Sequence, residues 1–106
     1  MKNEESFVKL YRSAKKDPTF KNPRAWQMFS YCMMTAEAWA NKPGIEFGTF
    51  ITSYPELMED LNIGSKATVS KFLKFLKEDG KIEYSNNHQQ TIIKVINFGK
   101  YNPPTK

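Results

Sequence analysis

A chain of 106 residues fits one domain around one modest core, and 40% apolar with 14% aromatic content excludes a disordered chain. The single cysteine, Cys32, excludes an internal disulfide and any zinc finger or iron–sulfur cluster anchored by cysteines. The net charge of +5 is segregated: residues 1–24 carry seven Lys/Arg against three Asp/Glu, and residues 62–81 carry five Lys against Glu78 and Asp79. Residues 43–61 hold Glu46, Glu56, Glu59 and Asp60 with no basic residue, so the expected molecule is two-faced, with basic regions suited to a polyanion.

Residues 1–5 are polar and expected to be loose. Phe7, Leu10, Tyr11 and Ala14 fit a helical stripe, although FVKLY also tolerates an extended reading. The connector KKDPTFKNP ends in Asn22-Pro23, a helix cap followed by proline at the first helical position. A long helix is predicted over 23–41, with Trp26, Phe29, Met33, Ala36 and Ala40 on one face, widened by Met28, Cys32 and Trp39. Cys32 reads there as a buried small hydrophobe. The sequence Lys42-Pro43-Gly44 stops this helix, and FGTFITS supplies a short strand.

Ser53 caps a helix over 54–62, with Glu56 three positions on as in a capping box and Leu57 and Leu61 on the buried edge. Asn62-Ile63-Gly64 is a tight turn in which Asn62 or Gly64 takes a left-handed conformation. Ser65 caps a second helix over 66–79, whose core face is Val69, Leu73 and Leu76 with Phe72 beside them. Phe75 lies off that stripe and packs on the wing or first helix, or joins a dimer interface. Gly80 ends the helix, and strands over 81–85 and 91–97 flank a polar tip, Asn86-Asn87-His88-Gln89. The fold expected is mainly α with a small β-hairpin wing, a winged helix-turn-helix. It forms a single domain over 1–101, and residues 99–106, GKYNPPTK, leave it as an extended tail; residues 102–106 lie beyond the domain as tail or linker.

A helix-turn-helix places its second helix in the major groove of DNA, where base edges distinguish all four base pairs. Here that puts Ser65, Lys66, Ala67, Thr68, Ser70 and Lys71 at the interface. Lys66, Ser70 and Lys71 are expected nearest the bases, and Ser65, Thr68 and Lys74 nearer the backbone, unless Thr68 supports the first turn from within. In the wing only Lys81 and Lys94 are basic; Asn87 and His88, with their polar neighbours, contact DNA or form an exposed turn. Arg12, Lys15, Lys16, Lys21 and Arg24 are a second phosphate-binding cluster or a solvated surface. With no arginine in the recognition helix, intrinsic sequence specificity should be modest and raised by dimerisation or repeated sites.

With these residues in place, the chain resembles the N-terminal winged-helix domain of phage replication initiators, or replisome organisers, and the related N-terminal domain of the primosomal protein DnaD. The stretches that carry the resemblance are FVKLYR, NPRAWQMFSYCMMTAEAWAN, GTFITSYPELMEDLNI, SKATVSKFLKFLKEDGKI and TIIKVINFGKY. Gly48-Thr49-Phe50-Ile51-Thr52-Ser53 matches the family's run into the first motif helix, and Asn97-Phe98-Gly99-Lys100-Tyr101 its closing stretch. The resemblance implies origin binding in replication. It also implies a choice between a domain excised from a longer initiator and a stand-alone DNA-binding protein.

The expected activity is sequence-preferring binding of double-stranded DNA in phage or plasmid replication initiation. The alternatives are a transcriptional regulator of the same fold and a protein-interaction or oligomerisation module. No enzyme activity, metal or cofactor is expected, because one histidine and one cysteine form no convincing dyad and no phosphate-binding glycine loop occurs. Expected partners are duplex DNA, a homodimer or higher oligomer, and replication proteins if the chain belongs to a longer one. No apolar stretch or signal sequence suggests a membrane, and a reducing cytoplasm is the expected location.

Overall fold

A computed structural model describes residues 16–87 and 89–101. The stripe from Phe7 to Ala14, Arg12, Lys15, His88 and the tail over 102–106 lie outside the described residues. The elements run α1 (Pro18–Lys21), α2 (Pro23–Ala38), β1 (Thr49–Thr52), α3 (Tyr54–Leu61), α4 (Lys66–Glu78), β2 (Ile82–Asn87), β3 (Gln90–Val95) and α5 (Phe98–Tyr101). The fold is mainly α with a three-stranded antiparallel sheet ordered β1-β3-β2, the architecture of a winged helix-turn-helix.

Short-range caps set the helix starts. Asn22 ends α1 and begins α2, its side chain accepting from the Ala25 amide at 3.2 Å, and Pro23 occupies the first turn where no internal N–H bond is lost. Ser53 accepts from the Glu56 amide at 3.2 Å to start α3, and Ser65 accepts from the Thr68 amide at 3.1 Å to start α4. Ser65→Ala is expected to cost about 1 kcal/mol in a denaturant melt because the cap is removed.

The ends of α3 and α4 are made by left-handed residues. Asn62, with φ 57°, closes α3: its own amide donates to Glu59 O and the Ile63 amide reaches back to Met58 O at 2.9 Å. Of the two candidates for the left-handed position, the turn uses Asn62, and Ile63 drops into the core as the apolar contact of a Schellman motif. Gly80, with φ +75°, closes α4 in the same way, with Lys81 N to Leu76 O at 2.9 Å.

Several element boundaries depart from expectation. Helix α2 stops at Ala38 rather than at 41, because the amides of Trp39, Ala40 and Lys42 bond three residues back and tighten the last turn. The wing strands extend to Asn87 and start at Gln90, which pair with one another at the end of the hairpin. Backbone pairing there needs no apolar side chain, so Asn86 and Asn87, expected in the tip, belong to the strand. Strand β3 ends at Val95 rather than 97, since Asn97 is left-handed (φ 60°) and launches α5. Residues 99–101 are thus helical, not the start of an extended tail. The connector also holds α1, one turn capped by Asp17.

The core joins one face of α2 (Met28, Phe29, Cys32, Met33) to Leu57, Leu73 and Leu76 from the motif helices and to Phe50, Ile82 and Ile93 from the sheet. Cys32 is fully buried, and burial pushes its thiol up to about 12, so it stays protonated packing at neutral pH. Phe75 packs against this core. Gly48 takes φ +89°, its carbonyl accepts from Val95 N at 2.9 Å, and a Cβ there would lie 3.0 Å from Phe98 Cβ. Gly48→Ala is therefore expected to lower stability by about 2 kcal/mol in urea unfolding.

Candidate nucleic-acid interface

Packing splits α4 into two faces. Val69, Leu73 and Leu76 are buried, whereas Lys66, Ala67, Ser70, Lys71, Lys74 and Lys77 are exposed. The structure thus brings the residues expected at the recognition surface onto one outward face and adds Lys77, which belongs to the same face by helical spacing. Ser65 and Thr68 bracket its N-terminal end. Their hydroxyls lie 2.9 Å apart at an exposed surface, and the Thr68 amide is the donor to the Ser65 cap. The Lys71 ammonium lies 5.4 Å from the centre of the Phe72 ring, within cation–π range.

Helix α2 grips the turn that delivers this face. Arg24 Nη1 donates to Leu61 O at 2.9 Å and to Gln27 Oε1 at 2.6 Å, while Gln27 Nε2 reaches the same Leu61 carbonyl at 3.2 Å. One turn further on, the Tyr31 hydroxyl donates to Asp60 at 2.6 Å; burial and this bond raise the phenol well above its ordinary range. Arg24, Gln27 and Tyr31 stand three and four residues apart on α2 and hold the last turn of α3 just before Asn62. Arg24, a candidate phosphate ligand by sequence, is thus engaged as the cap of the α3 C-terminus. Arg24→Gln is expected to lower stability by about 1 kcal/mol while leaving the salt slope of any polyanion binding unchanged; the melt and a salt titration check it.

Two wing lysines are held by carboxylates. Lys81 Nζ lies 2.8 Å from both Asp17 and Asp79, with its side chain only 12% exposed. Asp79 also accepts from the hydroxyl of the buried Thr19 at 2.6 Å. Burial pushes the Asp79 carboxyl up, but its bonds from Lys81 and Thr19 outweigh that and leave it below the ordinary range. Burial likewise lowers Lys81, and the bonds to Asp17 and Asp79 reverse the sign and raise it. Lys94 pairs with Glu46 at 2.8 Å on a more exposed surface, and that hydrogen bond raises it. Asn87 is exposed at the end of β2, while His88 is outside the described residues.

The acidic residues lie on another element: Glu56, Glu59 and Asp60 are exposed on α3. Between the N-terminal ends of α3 and α4 and the wing opens a cleft of about 550 Å3, lined in part by Tyr54, Lys66, Asn86 and Gln89. Tyr54 and Thr91 are additions to the residues expected from sequence, whereas Asn86 and Gln89 are expected there with the polar wing tip. The signal for Tyr54 is its place directly after the Ser53 cap; Thr91 carries no local signal because strand register brings it there. Among the described residues, no group of His, Cys, Asp and Glu is placed to hold a metal ion, and no helix is long and apolar enough to cross a membrane. No protein-family model, curated protein or solved structure matches the chain.

Proposed function

We propose that this domain binds double-stranded DNA with modest sequence preference through α4, in phage or plasmid replication initiation. The observation that supports it best is the exposed row of Lys66, Lys71, Lys74 and Lys77 on the second helix of a helix-turn-helix, with no carboxylate on the exposed face before Glu78. In that arrangement Ser70 and Lys71 meet base edges, while Lys66, expected from sequence to lie near the bases too, lines the cleft and with Lys74 and Lys77 neutralises phosphates as a point charge. The replication role rests on the resemblance of the GTFITS and NFGKY stretches to phage initiators and replisome organisers. A transcriptional regulator would use the same face, and selection from random duplexes followed by mapping of the preferred site separates the two.

Duplex binding is tested by anisotropy across a salt series. Three or more phosphate contacts give a log–log slope of about −2.7 or steeper, near −0.9 per phosphate neutralised. A flat salt response with self-association instead would assign the domain to protein interaction.

A further inference from the structure

The cleft beside Lys66 has a chemistry of its own. Its helix-side wall is Tyr54 and Pro55, and its wing-side wall is Asn86, Gln89 and Thr91. Among the described residues of its lining, Lys66 supplies the only charge and there is no carboxylate. Thr91 is 2% exposed and lies 2.8 Å from Asn86 Oδ1, to which it donates; this leaves the Asn86 amide nitrogen on the Tyr54 side, 3.5 Å from the phenol oxygen. The wing tip is therefore tied to the start of α3 by a weak hydrogen bond that a ligand can replace. At about 550 Å3 the cleft falls in the roughly 300–1,000 Å3 range of small-ligand sites.

We propose that this cleft holds one unpaired nucleotide of a DNA strand, with Lys66 on its phosphate, Tyr54 and Pro55 against its base, and the amides of Asn86 and Gln89 on the base's polar edge. This rests on the proposed DNA-binding role of α4, which puts the cleft beside the bound strand. One ammonium matches one phosphodiester, whereas a continuous duplex backbone calls for a series of cations. Neutral amides and an aromatic ring are the groups that recognise a nucleobase. A paired base cannot use them, because its faces are covered by its neighbours and its pairing edge is occupied.

The test compares a perfect duplex with the same duplex carrying one central unpaired nucleotide, by fluorescence anisotropy at fixed salt with the full chain. The wild type is expected to bind the bulged duplex about tenfold more tightly. The readout is the ratio of bulged-duplex to perfect-duplex affinity: Tyr54→Leu should bring that ratio to one, and the Asn86→Ala/Gln89→Ala pair should reduce it, whatever either does to binding of the perfect duplex. Circular dichroism checks folding, and the exposed Asn86/Gln89 pair keeps the test decisive should Tyr54→Leu misfold. Equal binding of both duplexes by the wild type overturns the cleft assignment while leaving duplex binding intact. A bulge preference untouched by both variants also overturns it, since flexibility of the DNA would then be the cause. Binding to neither duplex overturns the proposed function and this inference with it.

Discussion

Replacing Lys66 and Lys71 together by alanine is expected to lower duplex affinity by about tenfold or more and to reduce the salt slope by up to about 1.8, near 0.9 for each phosphate no longer neutralised. Both side chains are exposed on the outward face of α4 and contribute nothing to the core, so the melt should move little. The two residues need not behave alike. Lys66 lines the cleft, which suits a phosphate contact: its removal should weaken all sequences equally. In the proposed docking, base edges reach Lys71, five residues further along α4, and its removal should relax preference at one position. Measuring specific and scrambled duplexes across salt for each single variant separates these outcomes. Unchanged affinity in a folded double variant would remove the basis for DNA binding through α4.

The parts of the fold that could be read from sequence are those whose causes act over a few residues. Asn22, Ser53 and Ser65 each bond an amide three positions on, so the starts of α2, α3 and α4 lie where serine or asparagine precedes an apolar stripe. The buried triad Val69, Leu73 and Leu76 follows from helical spacing alone, and so does the lysine face opposite. One-turn helices are too short for a periodic signal, which hides α1 and α5. The roles of individual cations were not legible for a different reason. Arg24, Lys81 and Lys94 find their partners at Leu61, at Asp17 and Asp79, and at Glu46. These interactions join elements brought together by packing, and a count of basic residues treats an engaged lysine and a free one alike.

Lys81 gives the sharpest test of that distinction. Its ammonium sits between Asp17 and Asp79, and Asp79 also satisfies the hydroxyl of fully buried Thr19. The group ties α1 to the corner where α4 turns into the wing. Lys81→Ala leaves two carboxylates facing one another with reduced solvation, and is expected to cost about 3 kcal/mol at neutral pH. The pH dependence follows from the two shifts. Asp79 is depressed, so its contribution is complete above the unfolded value of about 3.9 and is lost as pH falls through its lower folded value. Lys81 is raised, so its contribution is complete below about 10.4 and is lost as pH rises through its higher folded value. The stability gap between wild type and Lys81→Ala should therefore be flat between about pH 5 and pH 9, close in acid below about pH 4, and close again in strong alkali. Urea unfolding of both proteins at several pH values measures it, and a gap that persists undiminished at about pH 2 would show that the pairing does not stabilise the fold. The same variant should leave the salt slope of duplex binding unchanged, because an ammonium already held by two carboxylates releases no further counterions on a phosphate; a slope reduced by about 0.9 would place Lys81 on DNA instead.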